Sequence, residues 1–296
     1  MTEQTAALPS GVTLCFETFG SPDDPAVLLV MGLGGPMGWW DTQFCQRLSA
    51  RGFFVIRYDN RDTGRSTKFG DHRVGRSDIV RAFVGLAKGP YTIGDMAQDA
   101  LGLLDHLGVA GAHLVGVSMG GMIAQTFAIE HPGRALSLTS IMSTTGRRTV
   151  GWQNPRIYPM LLSSPGSTRE SYVARSLRGS GVIGSPAFPT DEAIARARAE
   201  ETYDRGWTPD GGLRQMMAVL NQTDRTKQLA ALDIPVTVIH GKSDPLVHPS
   251  GGRATAAAVP GAELVSIAGM GHDIPAQLYD TFIDAIARTA ARAVRS

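Results

Sequence analysis

The sequence Gly116-Val117-Ser118-Met119-Gly120 is the most informative part of this chain. It overlaps the end of a largely apolar run, residues 112–117, and precedes a helix-compatible stretch, residues 121–130. This pattern predicts a serine on a tight turn between a β-strand and an α-helix. Glycines two positions before and after Ser118 let the strand and the helix approach each other without clash. Such a turn would expose the serine hydroxyl to a substrate.

A candidate acid and a candidate base follow this serine along the chain. Residues 235–240 are predicted as a buried strand rich in β-branched side chains, and Asp244 lies just beyond its carboxyl end. Residues 262–267 are predicted as another short strand, and His272 follows in a glycine-rich turn. We expect Ser118 to act as nucleophile, His272 as its base and Asp244 as the acid that orients the imidazole. The alternatives are an ordinary turn serine, a capping aspartate and a structural loop histidine.

Acyl transfer by such a group also needs donors for a developing oxyanion. One is expected to be the backbone amide of Met119, the residue after the nucleophile. The strand predicted at residues 26–31 is followed by Gly32-Leu33-Gly34-Gly35, and the amide of Leu33 is the second candidate. A simple flexible turn is the alternative. The glycine spacing does not match a dinucleotide-binding fingerprint, since Met37 stands where a third glycine is required.

The rest of the chain alternates between strand-like and helix-like segments. Further strands are predicted at residues 12–18, 53–58 and 135–142, and Thr92 followed by Asp95 predicts a helix start of the capping-box type. The alternation indicates a mostly parallel sheet covered by helices on both faces. Residues 143–226 are instead rich in Gly, Pro, Ser and Arg, with helix-like patches and no clear strand. We therefore predict a core of residues 1–142 and 227–296, with residues 143–226 as a helical cap over the carboxyl edge of the sheet.

The length and composition of the chain are typical of a globular enzyme. The 296 residues carry a formal net charge of +1, and 43% are hydrophobic and 19% charged. No basic stripe indicates nucleic-acid binding, and the most apolar stretch, residues 26–40, is too short and too glycine-rich to span a membrane. Residues 1–10 have no features of a secretory signal, so we expect a cytoplasmic protein.

The two cysteines, Cys15 and Cys45, are expected to be reduced structural thiols, although the sequence leaves a single disulfide open. Histidines and cysteines lack the spacing of metal ligands, so we predict no bound metal, and the expected chemistry requires no cofactor. The expected partner is a small-molecule ester. A homo-oligomer is left open.

The motifs resemble those of the α/β-hydrolase superfamily in its esterase and lipase group, and within it the aclacinomycin methylesterase-like hydrolases. The segments that carry the resemblance are residues 29–33, 57–66, 116–121, 243–247 and 269–272. The order serine, aspartate, histidine along the chain is that of this superfamily and differs from the chymotrypsin and subtilisin orders. One departure is Met31, where many relatives carry a histidine before the oxyanion glycine.

The resemblance implies an α/β-hydrolase fold and cleavage of carboxylic esters of hydrophobic small molecules through an acyl-enzyme. Carbon-carbon bond hydrolases and cofactor-free perhydrolases use the same three residues and remain alternatives, as does a non-catalytic small-molecule receptor on this scaffold. The arginine-rich loop of residues 59–66 is expected to tie the sheet edge near the nucleophile through salt bridges, without a catalytic role.

Overall fold

The computed structural model describes residues 2–162 and 168–293. Within these residues, eight strands form one sheet in the order β1-β2-β4-β3-β5-β6-β7-β8. The strands are β1 (Gln4–Ala7), β2 (Thr13–Phe19), β3 (Ala26–Val30), β4 (Phe54–Tyr58), β5 (Ala112–Val117), β6 (Ala135–Ile141), β7 (Val236–Gly241) and β8 (Glu263–Ile267). Strand β2 pairs antiparallel with β1 and β4, and the other pairs are parallel. The carboxyl ends of β3 to β8 therefore meet at one edge.

Helices cover both faces of this sheet. The helices in the described residues are α1 (Thr42–Ser49), α2 (Arg76–Phe83), α3 (Ile93–His106), α4 (Met119–Glu130), α5 (Tyr158–Leu162), α6 (Arg169–Ile183), α7 (Glu192–Asp204), α8 (Pro209–Leu220), α9 (Thr226–Leu229), α10 (Ser250–Ala258) and α11 (Tyr279–Ala293). Helices α3 and α4 contribute to one core layer, and α1 and α11 contribute to the other. The predicted fold class, a mostly parallel sheet flanked by helices, is confirmed.

The alternation of side chains along the buried strands produces these two layers. In β3, Leu28 and Val30 belong to the layer with α3 and α4, whereas Val27 and Leu29 belong to the layer with α1 and α11. Successive side chains of a strand point to opposite faces, so a strand covered on both faces must be apolar throughout. This is why the central strands appear in the sequence as continuous apolar runs.

The local signals for helix α3 are present in the structure. The hydroxyl of Thr92 accepts a hydrogen bond from the amide of Asp95 at 3.1 Å, and a carboxylate oxygen of Asp95 accepts one from the amide of Thr92 at 2.7 Å. The helix runs from Ile93 to His106, and Gly108 beyond it has φ 67°. The predicted capping box is confirmed.

Residues 142–235 connect β6 to β7, and we call them the β6–β7 insertion. Its described residues form helices α5 to α9 and no strand; residues 163–167 of the predicted cap lie outside the described part of the chain. The insertion contacts loops at the carboxyl edge of the sheet. The amide of Gly34, after β3, donates to Gln215 of α8, and the amide of His272, after β8, donates to the carbonyl oxygen of Ile183 at the end of α6.

No helix within residues 2–162 and 168–293 combines the length and the apolar character needed to cross a lipid bilayer.

Candidate active site

Ser118 occupies a strained turn between β5 and α4. Its backbone has φ 57° and ψ −118°, a conformation that costs a residue with a side chain about 1–3 kcal/mol. The turn is held because the amide of Ser118 donates to the carbonyl oxygen of Ile141 at 2.9 Å, and the hydroxyl of Ser143 donates to the carbonyl oxygen of Ser118 at 2.8 Å. Both partners come from β6 and the residues that follow it, so the neighbouring strand holds the serine in place.

The two glycines that flank the serine are required by close backbone contacts. A Cβ atom on Gly120 would lie 2.1 Å from the carbonyl oxygen of Val30 in β3, and one on Gly116 would lie 2.2 Å from the carbonyl oxygen of Gly120. No other residue fits at either position without displacing the backbone. The first turn of α4 is therefore pressed against the carboxyl ends of β3 and β5.

The structure brings the three predicted side chains into one hydrogen-bonded line. His272 Nε2 lies 3.0 Å from Ser118 Oγ, and His272 Nδ1 lies 2.7 Å from Asp244 Oδ2. A carboxylate can only accept, so Nδ1 carries the proton and Nε2 is left to accept from the serine hydroxyl. Three residues that lie on loops after β5, β7 and β8 thus meet at the same edge of the sheet.

The carboxylate of Asp244 is buried and held by several donors. Burial by itself raises the pKa of Asp244, but the positive charge that His272 can carry and the hydrogen bonds from His240, His272 and the amide of Val247 outweigh it, so the pKa lies well below the usual range for aspartate. The amides of Leu246 and Val247 donate to Oδ1 at 2.8 and 2.9 Å. Asp244 is therefore ionised at neutral pH.

His240, which the sequence analysis had only placed within the predicted strand, lies behind this carboxylate. Its Nε2 is 2.8 Å from the carbonyl oxygen of Val247 and 3.4 Å from Asp244 Oδ2, and its side chain is buried. Both partners accept, so Nε2 carries the proton and donates to them. Nothing in the sequence distinguishes this histidine from an ordinary core residue.

The two predicted oxyanion donors lie on segments next to the serine. Met119 is the first residue of α4, where a helix leaves backbone amides without intrahelical partners. Leu33 belongs to the loop after β3, and this loop lies against the nucleophile, since a Cβ atom on Gly32 would be 3.2 Å from the Cβ of Ser118. The roles of these amides remain predictions.

Comparison with known proteins identifies the family of this chain. A family model described as the alpha/beta hydrolase fold matches residues 25–277. The chain belongs to this family.

The curated relatives of this alpha/beta hydrolase include ester-cleaving enzymes. The chain is 32% identical over 294 residues to the rhodomycin D methylesterase DauP of Streptomyces sp. strain C5, covering 93% of this chain and 94% of the relative. It is 27% identical over 242 residues to 3-oxoadipate enol-lactonase 2 of Acinetobacter baylyi, covering 82% of this chain and 80% of the relative. The predicted resemblance to methylesterases within this superfamily is confirmed.

Among solved structures, the enol-lactonase from Burkholderia xenovorans LB400 has a TM-score of 0.75 at 22% identity, over 97% of this chain and 100% of that chain. A meta-cleavage product hydrolase from Pseudomonas fluorescens IP01 has a TM-score of 0.77 at 17% identity, over 98% of both chains. At these identities the two structures support the fold alone.

The arginine-rich loop of this alpha/beta hydrolase, residues 59–66, forms buried ion pairs, as predicted, but it reaches further than the sheet edge. Asp62 accepts two hydrogen bonds from Arg214 of α8, at 2.8 and 2.7 Å. Asp59 accepts one from Arg205, which follows α7, at 2.7 Å. Both arginines belong to the β6–β7 insertion, so the loop ties the insertion to the sheet.

A second tie holds the loop that carries His272. The hydroxyl of Ser185, just after α6, accepts from the amide of Gly271 at 2.9 Å and donates to the carboxylate of Asp273. The amide of His272 donates to the carbonyl oxygen of Ile183 at 2.7 Å. Burial raises the pKa of Asp273, whose carboxylate lies in this cluster. Sequence reasoning missed Ser185, because a serine in a Gly-, Pro- and Ser-rich segment carries no distinguishing signal.

Within residues 2–162 and 168–293, there is no cluster of three or more His, Cys, Asp or Glu side chains that could hold a metal ion.

Proposed function

We propose that this protein is a serine hydrolase that cleaves carboxylic esters of hydrophobic small molecules through an acyl-enzyme. The observation that carries the proposal is the line from Ser118 Oγ through the His272 imidazole to Asp244 Oδ2, with separations of 3.0 and 2.7 Å. The distances lie in the hydrogen-bonding range that nucleophile and base need. The methylesterase and enol-lactonase names of the relatives support an ester as the substrate.

In the proposed mechanism, Ser118 Oγ attacks the ester carbonyl carbon while His272 Nε2 takes the hydroxyl proton. Asp244 holds Nδ1 and stabilises the imidazolium that forms. The amides of Met119 and Leu33 donate to the oxyanion of the tetrahedral intermediate. His272 then protonates the leaving alcohol, and a water activated by the same histidine releases the acid. The reaction requires no cofactor.

The substrate-binding part of the proposal concerns residues 143–226, which we propose to act as a cap over the serine. Its contacts with the loops after β3, β4 and β8 support this position. Trp152, at the start of the cap, is half-exposed and stacks on His248 at 4.0 Å between ring centroids, and the amide of His248 donates to its carbonyl oxygen. An exposed indole beside the loop that carries Asp244 favours an apolar or aromatic substrate.

We also propose a reducing compartment such as the cytoplasm, because Cys15 and Cys45 are both free and buried.

The test is covalent labelling combined with a substrate series. The parent protein and Ser118→Ala are treated with an organophosphorus reagent and analysed by peptide mass spectrometry, then assayed with aryl esters of graded acyl length. We expect labelling of Ser118 in the parent alone, and hydrolysis in the variant below about one-thousandth of the parent rate. Retained labelling or hydrolysis in Ser118→Ala would place the nucleophile elsewhere.

The same samples discriminate between the proposed reaction and the alternatives. A dienol ketone substrate tests carbon-carbon cleavage, and peroxide with a carboxylic acid tests perhydrolysis. We expect the aryl esters to be turned over fastest. Ligand-induced thermal stabilisation without turnover of any of these compounds would indicate a receptor.

A further inference from the structure

The side-chain amide of Gln215, on helix α8 of the β6–β7 insertion, is fully buried and hydrogen-bonded at both ends. Its oxygen accepts from the amide of Gly34 at 2.7 Å. Its nitrogen donates to the carbonyl oxygen of Arg61 at 2.8 Å and to the hydroxyl of Thr63 at 2.7 Å. The orientation of the amide group is fixed by chemistry, because a backbone amide can only donate and a carbonyl can only accept.

Gly34 lies in the middle of the loop that carries the proposed oxyanion donor Leu33. The amide of Gly35 donates to the carbonyl oxygen of Gly32 at 3.2 Å, which makes residues 32–35 a β-turn. Gly34 is the third residue of this turn and has φ 71°, the positive value that a type II turn requires at that place. The Leu33–Gly34 peptide is therefore the central peptide of the turn.

Type I and type II β-turns differ by a rotation of this central peptide through about 180°. In the observed turn the Gly34 N–H points at Gln215 Oε1. In the rotated turn the carbonyl oxygen of Leu33 would point toward Gln215 Oε1, and the two oxygens would repel each other. Gln215 therefore favours the observed turn over the rotated one.

We propose that Gln215 is a positioning residue for ester hydrolysis, which anchors the turn that carries the Leu33 amide near Ser118. The Leu33 N–H belongs to the Gly32–Leu33 peptide, one peptide before the one that Gln215 holds, so Gln215 acts on it by fixing the turn as a whole. The inference rests on the proposed function. Gln215 does not touch the substrate; it acts through the Gly34 amide. Asn60 supports the same loop from the other end, since its side-chain nitrogen donates to the carbonyl oxygen of Met31 at 2.9 Å. The insertion thereby contributes to oxyanion stabilisation as well as to covering the site.

The test compares Gln215→Met, which keeps the length of the side chain and removes its hydrogen bonds, with Asn221→Leu. Asn221 is a matched control, because it caps the same helix and its side-chain amide also makes backbone hydrogen bonds to another loop, with Gly89 and Ala87 at 2.9 Å each. We expect kcat for an aryl ester to fall about 10- to 100-fold in Gln215→Met, because a donor displaced by about 1 Å costs on that order. KM and the pH profile should stay near those of the parent, and Asn221→Leu should keep the parent kcat.

A second readout is the affinity for an alkyl boronic acid, which forms a tetrahedral adduct with the serine and places an oxygen where the oxyanion forms. Its affinity should fall by the same factor as kcat in Gln215→Met and stay unchanged in Asn221→Leu. Gln215→Glu keeps the acceptor for Gly34 but buries a carboxylate, so it should lose thermal stability and yet have a higher kcat than Gln215→Met.

Unchanged kcat and boronic acid affinity in Gln215→Met would overturn the inference. So would a kcat that follows the thermal unfolding temperature across the three variants, because that is the behaviour of a purely structural tie. If Gln215→Met does not fold, Gln215→Glu is compared with the parent and with Asn221→Leu. A kcat of Gln215→Glu that is reduced in proportion to its loss of stability then counts against the inference. Failure of the parent to be labelled at Ser118 would instead overturn the proposed function.

Discussion

At the scale of single residues, each carboxylate oxygen of Asp244 has its own partners, since Oδ2 faces His272 Nδ1 and Oδ1 accepts from the amides of Leu246 and Val247. The variant Asp244→Asn can keep an oxygen toward the amides, but it then presents N–H groups to Nδ1. The imidazole must respond by carrying its proton on Nε2, where it cannot accept the proton of Ser118. We expect kcat/KM to fall by about ten-thousandfold, with the circular dichroism spectrum unchanged.

The matched control for this change is Asp273→Asn. Asp273 is the next residue after His272, but its carboxylate accepts from Ser185 and not from the imidazole. We expect a much smaller loss of kcat/KM in this variant. A mild loss in Asp244→Asn, or an equal loss in both variants, would mean that a different group orients His272.

At the scale of elements, the unit formed by β5, the serine turn and α4 depends on close contact with β3. In Gly120→Ala the added methyl group would lie 2.1 Å from the carbonyl oxygen of Val30 and 2.7 Å from that of Met31. Both are backbone atoms of a central strand or its end and cannot move without disturbing the sheet, so we expect a loss of about 3 kcal/mol in the free energy of unfolding. Urea denaturation measures it.

Gly133→Ala is the control for this substitution, because a Cβ atom there would have nothing within 4 Å and the residue is exposed. We expect its free energy of unfolding to stay within about 0.5 kcal/mol of the parent. Equal stability of Gly120→Ala and Gly133→Ala would contradict the close packing of α4 against β3.

The elements also differ in how well the sequence predicts them. Strands β2 to β8 could be predicted from runs of apolar and β-branched residues, although β8 has no buried residue. Helix α3 could be predicted from its 3.6-residue period and its capping box. Strand β1 was not predicted, because of its four residues only Ala6 is buried and no alternation is visible. The start of helix α8 carries conflicting signals, because Gly211 and Gly212 are poor helix formers whereas Pro209, its first residue, is favoured in the first turn.

The sequence predicts the positions of Ser118, Asp244 and His272, because each follows a strand whose carboxyl end must lie at the common edge of a parallel sheet. The contact of Gln215 with Gly34 could not be predicted, because it joins residues 181 positions apart through a single side chain. Such polar contacts follow no period, and only the folded chain brings their partners together.

For the whole molecule, the buried His113 in the central strand β5 makes stability depend on pH. Burial lowers the pKa of His113 from 6.5 to about 4, and its Nδ1 lies 2.9 Å from the hydroxyl of Ser137. The unfolded chain binds a proton at this residue below about pH 6.5, whereas the folded protein does not until about pH 4. Stability therefore falls as the pH decreases through this window, by roughly 3 kcal/mol from this residue.

Urea denaturation between pH 7.5 and 4.5 measures this effect. The free energy of unfolding of His113→Gln should fall by less than that of the parent, with a difference of roughly 3 kcal/mol. In His72→Gln, which changes an exposed histidine, it should fall by as much as in the parent. Equal pH dependence of the parent and His113→Gln would show that other groups control the acid sensitivity of the fold.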